Sequence, residues 1–263
     1  MKNATPAEIR RAARAGTFAA PTAGLAPGYQ QANIVIVPAD VADSFLAYVQ
    51  ANPQACPLLA VGRAGDPSLP TLGKEIDIRT DLPRYRVFRH GVIAEDPTQV
   101  THPWREDLVT FALGCSLGFE AALLSAGVHL RCFAPDASCS AFESTIETTA
   151  AGPFSGPLVA SMRAVPAEHV ELVREITAAH PETHGAPVHI GEPALIGVDL
   201  TQPIDGIGLT DVLEGEVPVF WACGVTPQYA LQRAKLPLAI THAPGHMLVT
   251  DLPLGSSPSA QPV

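Results

Sequence analysis

The sequence predicts an α/β protein: a mixed, partly parallel sheet flanked by helices, with a smaller α+β lobe inserted into it. Three observations carry this. Residues 33–62 read as strand, helix, strand, the order of a crossover unit. The 26 Pro and 21 Gly among 263 residues cut the chain into short elements without an internal repeat. Between residues 115 and 190 the order changes to helix, hairpin, helix and strand. The main lobe is expected at about 1–114 plus 191–251, the inserted lobe at about 115–190 and a frayed tail at 252–263, all within one catalytic unit.

Taken in order, "MKNATPAEIRRAARAG" predicts a capped helix, with Thr5 as N-cap, Pro6 as first helical residue, Glu8 closing a capping box and Gly16 as the stop. "NIVIVP" is a buried strand, and "DVADSFLAYVQANP" a helix with Val41, Phe45, Leu46 and Val49 on one face. "CPLLAVG" supplies the next strand. The run "LVTFALGCSLGFEAALLSAGVHL" is apolar enough to mimic a membrane span, with Glu120 its only formal charge, but Gly114, Cys115 and Ser116 break it. Helical spacing of Trp104, Leu108 and Phe111 predicts a helix over 103–113, followed by one over 117–126 ended by Gly127. A hairpin across "SAFESTIETTAAGPFSGPLVASMR", a helix over 166–179 and the strand "APVHIG" complete the insert. "GEVPVFWACG", a short helix at "PQYALQRAK" and "LAITHAPGHMLVTD" return to the first architecture.

At 47% hydrophobic residues and a mean hydropathy of +0.19, the chain can bury one sizeable core or two lobes sharing an interface. Charged residues make up 16%, below the roughly 25% of ordinary soluble domains, so a homo-oligomer is expected. A net charge of -10 without a Lys/Arg run excludes nucleic acid as a partner. No membrane contact is expected. The first residues lack the apolar core of a secretory signal, and five cysteines without ordered spacing suit reduced thiols, so the expected location is cytoplasmic.

Several apolar elements end in small polar clusters, where a rigid scaffold can hold chemistry. Ser116 is placed to cap a helix whose free N–H groups, around Cys115, Ser116 and Leu117, suit a carboxylate or an oxyanion. Glu120 lies one turn on, in apolar company that favours its protonated form. Arg163 ends the strand "LVASMR" and can grip a carboxylate with two donors. "THGAPVHIG" offers His184 and His189 as bases, and "THAPGHMLVTD" offers His242, His246 and Asp251. After the strongest strand of the chain, Cys223, Gly224 and Thr226 form a second elbow, with Thr226 capping a helix that starts at Pro227. Each feature also has a plainer reading: a capped core helix, a surface ion pair, or a strand–helix turn with an inert core thiol. Neither histidine pair has metal-ligand spacing, and no metal or other cofactor is expected. His169 belongs to the polar side of its helix.

Together "GLAPGYQQANIVIVP", "NPQACPLL", "DIRTDLPRYRVFRHG", "GCSLGFE", "GPLVASMR", "HGAPVHIGEP", "VPVFWACGVTPQ" and "THAPGHMLVTD" resemble the D-glutamate cyclase family, over about residues 10–251. The chain departs from the family pattern at "AFESTIETTAAGPFSG", at Gly118 in place of a second serine, and at Ala164 in place of a proline.

The resemblance implies a hydro-lyase that converts D-glutamate, or a related small amino or carboxylic acid, to 5-oxo-D-proline and water. In that chemistry Arg163 would hold the α-carboxylate, and the N–H groups near Cys115 and Ser116, or near Cys223 and Gly224, the oxyanion. His184 or His189 would take the ammonium proton, and protonated Glu120 would deliver one to the departing oxygen. Thr226 and His246 complete the expected substrate contacts. Asp77, Arg79, Arg84 and Tyr85 are either supports for the site or a salt-bridged turn. Two other readings stand beside this one: a cofactor-independent racemase using Cys115 and Cys223 as paired bases, and a non-catalytic carboxylate-binding regulator.

Overall fold

The computed structural model describes residues 1, 4–134 and 137–256. Helix α1 (Pro6–Arg14) carries the expected capping box between Thr5 and Glu8. It is riveted to the far end of the chain by Arg10, which donates to Val249 O at 2.8 Å and to Asp251 Oδ1 at 2.9 Å. Strand β1 (Tyr29–Pro38) is buried at every position but the first. Only a strand covered on both faces can use such a run. Helix α2 (Ala39–Ala51) follows, then β2 (Leu58–Val61), β3 (Tyr85–Arg89), β4 (Val92–Glu95) and β5 (Leu108–Leu113). After β5 come α3 (Leu117–Ser125), the hairpin of β6 (Ser140–Glu147) and β7 (Pro157–Pro166), α4 (Val170–Ala178) and β8 (His189–Ile190). The chain closes with β9 (Glu216–Ala222), α5 (Thr226–Ala234), β10 (Ala239–His242) and β11 (Leu248–Pro253).

The larger sheet runs β2-β5-β1-β10-β3-β4, with β11 also on β1. Helices and sheets combine as an α/β fold requires, but the ladders are antiparallel. Strands β1 and β2 do point the same way, as strand-helix-strand order implies. Strand β5 lies between them and pairs antiparallel with both. That placement corrects the helix expected over 103–113. Trp104, Leu108 and Phe111 fit a helical stripe, yet all six residues of β5 are buried, so the spacing of apolar residues had no exposed face to define it.

The smaller sheet runs β6-β7-β9-β8. Strand β9 therefore joins the hairpin, not the larger sheet to which its sequence position pointed. The two sheets share one core: Val35, Val37, Phe111 and Leu113 from the larger meet Met162, Phe220 and Ala222 from the smaller. Phe45 of α2 wedges between, its ring centroid 4.8 Å from that of Phe111 and 5.0 Å from that of Phe154. The other face of the larger sheet is sealed by Leu69, Leu72, Ile76, Ile78 and Leu82. Strand alternation sends Ser161, Arg163 and Val165 to the other side of the smaller sheet, where Phe119 and Leu123 of α3 and Val173 of α4 cover it.

Candidate active site

Two strand-to-helix turns, one from each sheet, meet beside Asn33 of β1. Asn33 is 3% exposed and its Nδ2 donates to Gly114 O at 2.6 Å. A Cβ on Gly224 would stand 2.0 Å from the same Nδ2, and one on Gly114 would stand 1.8 Å from Glu182 O. Both glycines are therefore demanded by close approach. At Gly118 a Cβ would meet Thr183 Cγ2 at 2.3 Å, so the missing serine is matched by a threonine pressed against α3.

Arg163 lies at the centre of this arrangement with 1% of its side chain exposed. Its Nη1 donates to Ser161 Oγ at 3.1 Å, and its Nη2 to Ser116 Oγ at 3.2 Å and Glu120 Oε1 at 3.3 Å. The guanidinium carbon sits 4.7 Å from the Phe119 ring centroid and 5.2 Å from that of Trp221, so aromatic faces replace part of its lost hydration. Nε is buried with no hydrogen-bond partner among the described residues. Burial works against this charge, and the Cys132–Cys139 thiol pair together with Glu120 offsets it, so the guanidinium stays protonated. For Glu120, burial pushes the carboxyl above its ordinary range and the attraction of Arg163 only partly offsets that. A fifth of its side chain remains exposed, so it also faces an opening.

Neither expected cap uses its hydroxyl as a cap. Ser116 already has helical backbone angles (φ -60, ψ -15) and spends its hydroxyl on Arg163. Thr226 is the first residue of α5, and its Oγ1 accepts the Val159 N–H of β7 at 3.0 Å, tying the second turn to the strand that carries Arg163. The thiols behind these turns match one another. Burial raises Cys115 to about 12, opposed by the N–H of Leu117, and raises Cys223, opposed by the N–H of Val225. Both are therefore neutral thiols near pH 7. Cys223, Glu120 and Arg163 all act on Cys115, which places the four groups in one neighbourhood.

His184 is buried beside this cluster in a left-handed conformation (φ 79). Its Nδ1 lies 2.8 Å from Gln54 O, and Nε2 has no hydrogen-bond partner among the described residues. Burial lowers it to about 4, with Gln54 opposing and Arg163 reinforcing. It lines a groove of about 500 Å³ with Pro57, Leu58, Ala178 and Pro181. His189 is elsewhere: it pairs with Phe220, whose ring centroid is 5.9 Å away, on the face of the smaller sheet opposite Arg163. His246 sits in the β10–β11 turn with Nδ1 2.8 Å from Pro244 O, and among the described residues no hydrogen bond joins it to Arg163 or Glu120. His242 is structural, its Nδ1 accepting the Ile34 N–H at 3.2 Å where β10 stops. Asp251 is the partner of Arg10. Asp77 and Arg79 pair with each other at 2.8 Å, and Tyr85 closes the same turn by donating to Ile78 O at 2.9 Å.

The structure thus brings together Cys115, Ser116, Glu120, Arg163, His184, Cys223 and Gly224. It adds Asn33 and Ser161, which sequence reasoning missed. A polar residue at the head of "NIVIVP", and a serine two positions before Arg163 on the same strand face, were the available signals. Among the described residues, no group of three or more His, Cys, Asp or Glu side chains is gathered as metal ligands would be, and no helix is long and apolar enough to cross a membrane.

A family model described as D-glutamate cyclase matches residues 109–251, which span α3, the hairpin, Arg163 and both elbows. Three bacterial proteins that carry the name "Putative hydro-lyase" align over almost the whole chain. The one from Afipia carboxidovorans is 52% identical over 95% of this chain and 92% of its own. That from Verminephrobacter eiseniae is 52% identical over 93% and 89%, and that from Bordetella petrii 50% identical over 95% of each. With a family model matching more than half of its length and relatives at half identity across nearly all of it, the chain belongs to the D-glutamate cyclase family.

Proposed function

We propose that the protein is a hydro-lyase that closes D-glutamate to 5-oxo-D-proline with loss of water. The observation that carries this reading is Arg163: a buried, charged guanidinium whose one carboxyl hydrogen-bond partner among the described residues, Glu120, is itself biased toward its neutral form. Such a cation has capacity left for a second carboxylate. Bound through its α-carboxylate, a five-carbon amino diacid presents its γ-carboxyl near the starts of α3 and α5, whose first-turn N–H groups lack partners within their helices. Attack of the neutral amine on the γ-carbon forms the C–N bond and a tetrahedral oxyanion. Protonated Glu120 then gives a proton to the departing hydroxyl, which leaves as water. His184, neutral above about pH 4 and with Nε2 unpartnered among the described residues, is the group placed to relay the ammonium proton, a transfer that its lowered titration makes uphill. The reading is tested by incubating purified protein with D-glutamate, L-glutamate and both 5-oxoprolines, followed by chiral separation. Conversion confined to the D-pair is expected; no change in any of the four would overturn it.

The matched positions of Cys115 and Cys223 at two helix starts favour one second reading, racemisation by paired thiols. Their raised titration keeps both thiols protonated near pH 7, so neither thiolate is at hand to act as a base. Deuterium entering the α-carbon from heavy water, and lost in Cys115→Ser or Cys223→Ser, would select it over cyclisation.

A further inference from the structure

Arg163 has two neighbours that cyclisation leaves idle. Cys132 lies in the short 3-10 turn Arg131–Phe133, and Cys139 stands just before β6, with the two sulfurs 2.6 Å apart. Both segments are anchored on the same stretch of chain. Arg131 donates to Glu216 Oε1 at 3.0 Å and to Asp211 Oδ2 at 2.9 Å. Cys139 bridges to Leu209, and Ser140 Oγ donates to Leu209 O at 2.7 Å. The thiols are therefore held together by fixed backbone on both sides. Neither is fully buried, and Cys132 shares the lining of a small cavity, about 10 Å³, with Arg163. A thiolate there is favoured first by the hydrogen bond from Cys139, which outweighs burial, and further by the Arg163 charge; Cys139 is pushed up in turn and keeps the shared proton.

We propose that Cys132 and Cys139 form a peroxide-responsive dithiol whose closure to a disulfide strengthens the hold of Arg163 on a carboxylate. The Cys132 thiolate attacks one oxygen of hydrogen peroxide, breaking the O–O bond, and becomes a sulfenic acid while hydroxide leaves. The Cys139 sulfur then displaces the sulfenic hydroxyl, the S–S bond forms, and the Cys139 proton leaves with that oxygen as water. Overall two thiols and one peroxide give one disulfide and two waters, the sulfur pair supplying both electrons. Closure takes away the thiolate that the Cys132–Cys139 pair can otherwise present to Arg163, with which Cys132 shares a cavity lining, so the guanidinium has less competition for a substrate carboxylate.

The covalent half is independent of the cyclase reading; the kinetic half rests on Arg163 as carboxylate anchor. No Lys or Arg lies between Cys132 and Arg163, so trypsin releases both thiols in one peptide, 132–163. Full-length protein treated with hydrogen peroxide, trapped with N-ethylmaleimide and digested should yield this peptide two hydrogens lighter and unlabelled, and dithiothreitol should restore double labelling. In Cys139→Ser, dimedone should trap Cys132 as sulfenic acid. Full labelling after peroxide, or sulfinic acid at Cys132 without a cross-link, would overturn the proposal. With the cross-link present, KM for D-glutamate should fall several-fold and return on reduction; an unchanged KM overturns the regulatory half. Should neither form turn over D-glutamate, calorimetric binding of D-glutamate to the two forms decides that half by the same comparison.

Discussion

A guanidinium taken out of water costs several kcal/mol unless its hydrogen bonds and charge are met. Arg163 meets them with two serines, one carboxyl and two aromatic rings, which is a holding pattern more than a full neutralisation. Arg163→Ala should therefore lower kcat/KM for the cyclisation by about 10²-fold or more, with KM raised. Steady-state kinetics check this, beside a thermal melt showing that the variant is folded; unchanged constants would remove Arg163 from the site. Glu120→Gln preserves shape and a hydrogen-bonding oxygen but has no proton to give. It should lower kcat while leaving KM nearly unmoved. The raised Glu120 carboxyl also fixes a sign: activity should be lost as pH rises through its folded titration, and Glu120→Gln should abolish that limb of the rate profile. Residue types were the most legible level of the sequence. An Arg in an apolar strand and a Glu in an apolar helix stand out in the sequence, although β7 runs on to Pro166, so Arg163 lies within the strand and not at its expected end. The side of the sheet on which His189 falls depends on its pairing with Phe220, which no local pattern displays.

Among elements, the two elbows are the parts that must stay in register, and Asn33 sets their spacing. Gly224→Ala drives a methyl into the Asn33 amide, so it should destabilise the fold by about 1–3 kcal/mol, as overpacking does. Adding Asn33→Ala removes the atoms in the way and should recover part of that loss, giving a favourable coupling in a double-mutant cycle. Urea denaturation of the four proteins measures it; strictly additive losses would show that the contact does not matter. The Thr5–Glu8 capping box was readable because all of its partners lie within four residues. Ser116 stands at the N-cap position of α3 and Thr226 opens α5, but neither hydroxyl caps its helix, for the opposite reason. Their hydroxyls are claimed by Arg163 and Val159, far away in sequence. The spacing of Trp104, Leu108 and Phe111 suits a helix, but the charged residues 105–107 precede a strand, β5, that is buried throughout and so has no exposed face to show its period.

For the whole molecule, one core joins both sheets, and the candidate site lies where a turn from each comes to Asn33. Sequence order alone gave β9 to the wrong sheet, since sheet membership is decided by long-range pairing with β7. The core also carries a pH liability. His184 and His242 are buried and lowered to about 4 from an ordinary value of 6.5. Each therefore favours the fold fully above about pH 6.5 and progressively loses that contribution as pH falls toward 4, by about 3 kcal/mol apiece. The urea midpoint should fall across that window, and His242→Gln should flatten the slope; a midpoint constant from pH 7 to 4.5 would refute the burial of both imidazoles as neutral groups.

The central claim is that an amine on the substrate displaces one oxygen of its own γ-carboxyl. D-Glutamate labelled with ¹⁸O at both γ-oxygens tests it most directly, by mass spectrometry of the product after incubation with the enzyme. Cyclisation at this site yields 5-oxo-D-proline that retains a single label, the other appearing in water. Unconverted D-glutamate, or a product bearing both labels, would contradict it.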